Sequence, residues 1–185
     1  VDNTIATPFL CRPLEHGANL VIHSATKYID GHASNLGGVI IDGGNYNWNN
    51  GKFPEFVEPV ESYHGVVYTE AFGGAAFVAK ARLQLLRDYG CVLSPFNAFM
   101  LHQGLETLHL RMERHSENAL KLAKHLEKHP KIAWVNYPLL EGNQYYELAK
   151  KYTPKGASGI ISVGLKGGAK AGKEIVKYLE LTSLV

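Results

Sequence analysis

The sequence predicts an α/β fold: part of a large mixed-sheet domain at the front, followed by a small α+β domain. Three observations predict it. Residues 19–23 (NLVIH) and 36–41 (LGGVII) are short apolar runs that read as buried strands. Helical periodicity fills the middle of the chain. Helix, strand, strand and helix then follow in turn at the back. A soft boundary near Arg111 divides the chain into 1–110 and 111–185.

Each element has a local reason. Gly37 and Gly38 in the second run suggest a close approach to the backbone. Residues 43–68 are rich in Gly, Asn and Pro and read as a long irregular loop, functional or mobile. Phe72, Ala76, Ala79, Leu83 and Leu86 share one helical stripe, and Gly90 is a stop signal. Ser94-Pro95 marks the next helix start. Phe96, Phe99, Met100, Gln103 and Thr107 trace one face of it, and Leu101, Leu105, Leu108 and Met112 another. That helix is therefore expected to be buried on more than one side. Ala119, Leu122, Ala123 and Leu126 form a further helical set, ended by His129-Pro130. Residues 132–137 and 159–165 read as strands, and Gly172, Ile175, Val176 and Leu179 as a last amphipathic helix.

Composition narrows the function. Of 185 residues, 45% are hydrophobic and 19% charged, which excludes a disordered chain. A net charge of +2 provides no strong field for nucleic acid or an anionic membrane. No apolar run approaches the ~20 residues of a membrane helix. Cys11 and Cys91 lack CxxC spacing, which argues against a disulfide scaffold or a cysteine zinc site and for a reducing cytoplasm. The histidines at 102, 109, 115, 125 and 129 lie on or beside helices, with lysines among the later ones. They read as a solvated face, and no metal site is expected. The chain opens on Val1 and closes on Thr182-Ser183-Leu184-Val185 in mid-pattern, so it is expected to be a piece of a longer protein.

The sharpest chemical signal is His23-Ser24-Ala25-Thr26-Lys27-Tyr28, at the end of a strand. A lysine that condenses with a carbonyl must be held and partly desolvated. Hydroxyls such as Ser24 and Thr26 bind phosphate without another buried charge. Together they make a seat for pyridoxal phosphate, with the aldehyde on Lys27. The plain alternative is a solvated loop lysine. Asp2, at another strand end, offers a carboxylate for the cofactor's ring nitrogen. Its plain alternative is a turn or helix cap, since Asp-Asn-Thr is good capping material. His23 is read as a structural histidine near the site.

Longer stretches carry a family resemblance. They are Val1-Asp2-Asn3-Thr4 with Thr7-Pro8, Arg12-Pro13-Leu14-Glu15-His16-Gly17-Ala18, and His23 to His32. Gln103-Gly104-Leu105-Glu106-Thr107-Leu108, Val135-Asn136-Tyr137-Pro138 and the segment from Gly156 to Val163 follow in order. This set resembles the Cys/Met-metabolism enzymes that depend on pyridoxal phosphate, over essentially the whole chain. The stretch Phe53-Pro54-Glu55-Phe56, Glu58-Pro59 and Ser62-Tyr63-His64-Gly65, with residues 45–52 before it, resembles the O-acetylhomoserine sulfhydrylase branch. Asn19 and Ala33 depart from the usual signature at positions that carry no chemistry.

The resemblance implies a fold-type I transferase and the cofactor pyridoxal 5'-phosphate. Lys27 would hold the cofactor covalently and act as the catalytic base. Asp2 would pair with the ring nitrogen, and Ser24 and Thr26 would bind the phosphate. The implied reaction is a γ-replacement on O-acetylhomoserine by sulfide, yielding homocysteine and acetate in methionine biosynthesis. A γ-lyase or cystathionine-type enzyme on the same scaffold is the alternative, and a non-catalytic fragment a further one. The implied assembly is a homotetramer of dimers that share active sites. The chain itself is expected to be a C-terminal-half fragment, inactive alone unless a missing N-terminal segment comes from another chain.

Overall fold

The computed structural model describes residues 1–182. The expected mid-pattern ending at 183–185 lies outside them. The chain divides into two compact units: residues 1–8 with 12–108, and 9–11 with the chain from His109 onward.

In the first unit, residues 1–3 run parallel to β1 (Leu20–Ser24). The Asn3 N–H donates to the Ile22 carbonyl and the Ile22 N–H to the Val1 carbonyl, both at 2.9 Å. The short helix α1 (Thr7–Leu10) follows the first of these segments. On its other side β1 pairs antiparallel with β2 (Gly38–Asp42), placing Ile22 opposite Ile40 and Ser24 opposite Gly38. Strand side chains alternate between faces. Val21 and His23 are buried on one face, while Ile22 and Ile40 on the other are 49% and 52% exposed.

The stretch expected as an irregular loop is packed instead. It carries α2 (Pro54–Val57) and a 3-10 turn at Glu61–Tyr63, and runs into α3 (Tyr68–Phe72). The reason is aromatic content. The Trp48 ring stacks on Phe56 at 4.4 Å and on Phe77 at 5.5 Å, with Tyr46 and Phe53 edge-on. Tyr68 is fully buried beside them. Such ring pairs add about 0.5–1.5 kcal/mol each beyond the area they bury.

The helical stripe predicted from Phe72 is broken. Gly73 takes φ +53° and a 3-10 turn spans Gly73–Ala75, before α4 (Ala76–Lys80), a π-helical turn at Ala81–Leu86 and α5 (Arg87–Tyr89). The break has a packing cause: a Cβ on Gly74 would meet the Gly44 carbonyl oxygen at 2.8 Å. Gly90 closes the run with φ +70°, as the sequence predicts.

Ser94 caps α6 (Pro95–Glu106), its hydroxyl accepting the Asn97 N–H at 3.1 Å. Burial is confined to one stripe, Leu101 and Gly104. Phe96 and Phe99 are 69% and 57% exposed, so the expectation of burial on more than one side is corrected for α6. Thr107 separates it from α7 (Leu108–Glu127), where Met112, Ala119 and Ala123 are buried.

In the second unit, β3 (Ile132–Asn136) is followed by α8 (Tyr146–Tyr152), which the sequence reading missed. β4 (Ser162–Leu165) pairs antiparallel with β3, and α9 (Gly168–Ile175) follows. Tyr137 is fully buried, and its hydroxyl donates to the Ser158 carbonyl at 2.9 Å. Ser158 returns its N–H to Ser116 Oγ at 3.2 Å. Ala119, Ala123 and Leu140 complete this core.

Candidate active site

The candidate site forms at the C-terminal end of β1. A parallel bridge sets Asp2 beside Ile22, so the two side chains share a face, and Ser24 follows on that same face. Gly38, opposite Ser24, has no side chain. A Cβ there would meet only the His23 carbonyl, at 3.7 Å, so space is left open over Ser24.

Lys27 lies in the turn that follows. Its N–H reaches the Ser24 carbonyl at 3.4 Å, and its carbonyl accepts the Gly31 N–H at 2.8 Å. The Ala25 N–H is held by the Gly37 carbonyl at 2.9 Å. The Lys27 side chain is exposed, so the desolvation asked of it is not supplied by the described residues. The Thr26 hydroxyl faces the strand start after the turn. It accepts the Gly37 N–H at 3.1 Å and donates to the Gly37 carbonyl at 3.4 Å. A hydroxyl has one proton to give, so binding a phosphate there exchanges the long 3.4 Å bond for a shorter charge-assisted one.

Asp2 is held by Thr4. The Thr4 N–H donates to Asp2 Oδ1 at 2.9 Å. The Thr4 hydroxyl, then this amide, hold the Asp2 carboxyl below the usual range. Slight burial opposes this, while His23 and the Val1 amine favour it. His23 is buried, and desolvation holds its imidazole below the ordinary value. The Asn3 backbone and the Asp2 carboxylate pull the other way, and Nδ1 has no hydrogen-bond partner among the described residues.

Two supports escaped sequence reasoning. Asp30 is fully buried beneath the turn. It accepts the N–H groups of His32 and Ser34 at 3.1 and 3.0 Å, the Ser34 hydroxyl at 2.9 Å and Asn35 Nδ2 at 2.7 Å. Burial pushes its pKa up, but these four bonds outweigh burial and bring it down to about 2. Gly104 on α6 is the second: a Cβ there would run into the Ile29 and Asp30 carbonyl oxygens. Both lie in stretches that carry the family resemblance, Asp30 within His23 to His32 and Gly104 after Gln103, but neither was given a role of its own.

Other candidates fall elsewhere. His102, His109, His115 and His125 are exposed and His129 is half-buried. An apolar cavity of about 740 Å³ is lined by Trp48, Phe53, Phe56 and Lys80. It opens beside Val1 and Leu20, at the end of β1 away from Lys27.

The donor set suits pyridoxal phosphate: an ionised carboxylate and a serine on one face, open space above the serine, and a primary amine in the adjoining turn. Such a donor set is the kind that a protein holding pyridoxal phosphate needs. Residues 1–185 match the family described as Cys/Met metabolism PLP-dependent enzyme, and the chain belongs to it. It is 52% identical to an O-acetyl-L-homoserine sulfhydrylase of Leptospira meyeri, over 100% of this chain and 44% of that protein. It is also 52% identical to a homocysteine synthase of Schizosaccharomyces pombe, over 99% of this chain and 43% of that protein. A crystal structure described as an O-acetylhomoserine (thiol)-lyase of Campylobacter jejuni superposes with a TM-score of 0.92 at 40% identity. The match covers 100% of this chain and 46% of that one, which carries an N'-pyridoxyl-lysine-5'-monophosphate. The chain thus spans less than half the length of these relatives.

Proposed function

We propose that the protein replaces the acetoxy group on Cγ of O-acetylhomoserine with sulfur from sulfide, producing homocysteine and acetate in methionine biosynthesis. The observation that carries this reading is the placement of Asp2 and Ser24 on one strand face, with Lys27 in the turn that follows. The names of relatives at about half identity support the choice of reaction.

Lys27 would hold the cofactor through Nζ, Asp2 would face its ring nitrogen, and Ser24 and Thr26 would bind its phosphate. When bound, the cofactor supplies an electron sink for charge that develops on the substrate carbon. Asp2, whose ionised form Thr4 favours, would hold a proton on the ring nitrogen. Lys27 Nζ would move the substrate's Cα proton. Ser24 and Thr26 orient the cofactor between the two. In the same reading the protein assembles as a tetramer of dimers that share active sites, in the cytoplasm. Light scattering of the holoenzyme checks the tetramer.

Incubating the holoenzyme with O-acetylhomoserine and sulfide tests the reaction. Homocysteine and acetate in equal amounts are expected. Release of 2-oxobutyrate in their place would instead mark a γ-lyase.

A further inference from the structure

We propose that Thr4 is a positioning residue for the cofactor site: with its hydroxyl held by the Ser24 backbone and its N–H given to Asp2, it sets the Asp2 carboxylate at a fixed place relative to the turn carrying Lys27. This rests on the functional reading above.

Three observations carry it. The Ser24 N–H donates to Thr4 Oγ1 at 2.8 Å, across twenty residues of chain. An oxygen that accepts this bond keeps its single proton for another partner. The Thr4 N–H donates to Asp2 Oδ1 at 2.9 Å, and the Thr4 hydroxyl also favours the ionised Asp2 carboxyl. One residue therefore joins the ring-nitrogen residue to the last residue of β1, three positions before Lys27. Asp2 is exposed, and without these bonds its side chain would be free to turn about χ1. Threonine suits the task because its β-branch restricts χ1, so the hydroxyl is already aimed. The titratable groups that act on Asp2 are His23 and the Val1 amine, and both also favour its ionised form.

The experiment is a double-mutant cycle read as the dissociation constant for pyridoxal phosphate, measured by equilibrium dialysis of stripped and reloaded holoenzyme. Thr4→Val keeps the shape and removes the hydroxyl. It is expected to weaken cofactor binding about tenfold, the scale of one hydrogen bond to a charged group. Thr4→Ser keeps the hydroxyl and is expected to stay within about threefold of the parent. In an Asp2→Asn background, Thr4→Val is expected to change binding less than about twofold, since the charge it holds is gone. Equal loss in both backgrounds, or Thr4→Ser as damaging as Thr4→Val, would overturn the role and leave the functional reading standing. A parent protein that binds no pyridoxal phosphate would overturn both.

Discussion

Asp2, Lys27 and Asp30 carry separable burdens. Asp2 supplies charge. Asp2→Asn removes it at nearly constant shape, and kcat for homocysteine formation is expected to fall about 100-fold or more. A fall below threefold would mean that the carboxylate does not serve the ring nitrogen. Asp30 supplies shape, and its effect is read through pH. Its folded pKa of about 2 lies below the unfolded value near 4. The carboxylate therefore contributes stability above the unfolded value, and that contribution disappears as pH falls through about 2. Acid unfolding followed by circular dichroism should lose this component between roughly pH 4 and 2 in the parent and lack it in Asp30→Asn. The residue types of the site were legible because the chemistry demands them: a lysine after a strand, hydroxyls beside it and a carboxylate at a neighbouring strand end. Thr4 was not. Its value lies in a bond to Ser24 that only folding creates, and within Asp-Asn-Thr it read as capping material.

At the level of elements, the seat of Lys27 depends on how closely α6 approaches the turn. Gly104→Ala places a methyl against two backbone oxygens, Ile29 and Asp30, which cannot rotate away. About 1–3 kcal/mol of destabilisation is expected from denaturant unfolding. The aromatic cluster makes a second demand. Trp48 is 8% exposed and stacked on two rings, so Trp48→Ala should cost about 3–5 kcal/mol. Strands and long helices were legible because their apolar periods are strong. The stretch from 43 to 68 was not, because Gly, Asn and Pro mark its composition while the rings of Tyr46, Trp48, Phe53 and Phe56 determine its packing. The break at Gly73 escaped for a related reason. An apolar stripe reports which side faces a core, whereas Gly74 reports that Gly44 lies against it.

For the whole molecule, the chain matches its family from end to end yet spans 44% of a relative's length. Lys27 is exposed among the described residues, as are Ile22 and Ile40 on the strand face shared with Asp2. The functional account rests on a covalent attachment at one lysine. Borohydride treatment of the holoprotein makes that attachment permanent, and peptide mapping then locates it. The pyridoxyl group is predicted on the peptide containing Lys27 and on no other. A pyridoxyl group found on a different lysine, with Lys27 unlabelled, would contradict the account.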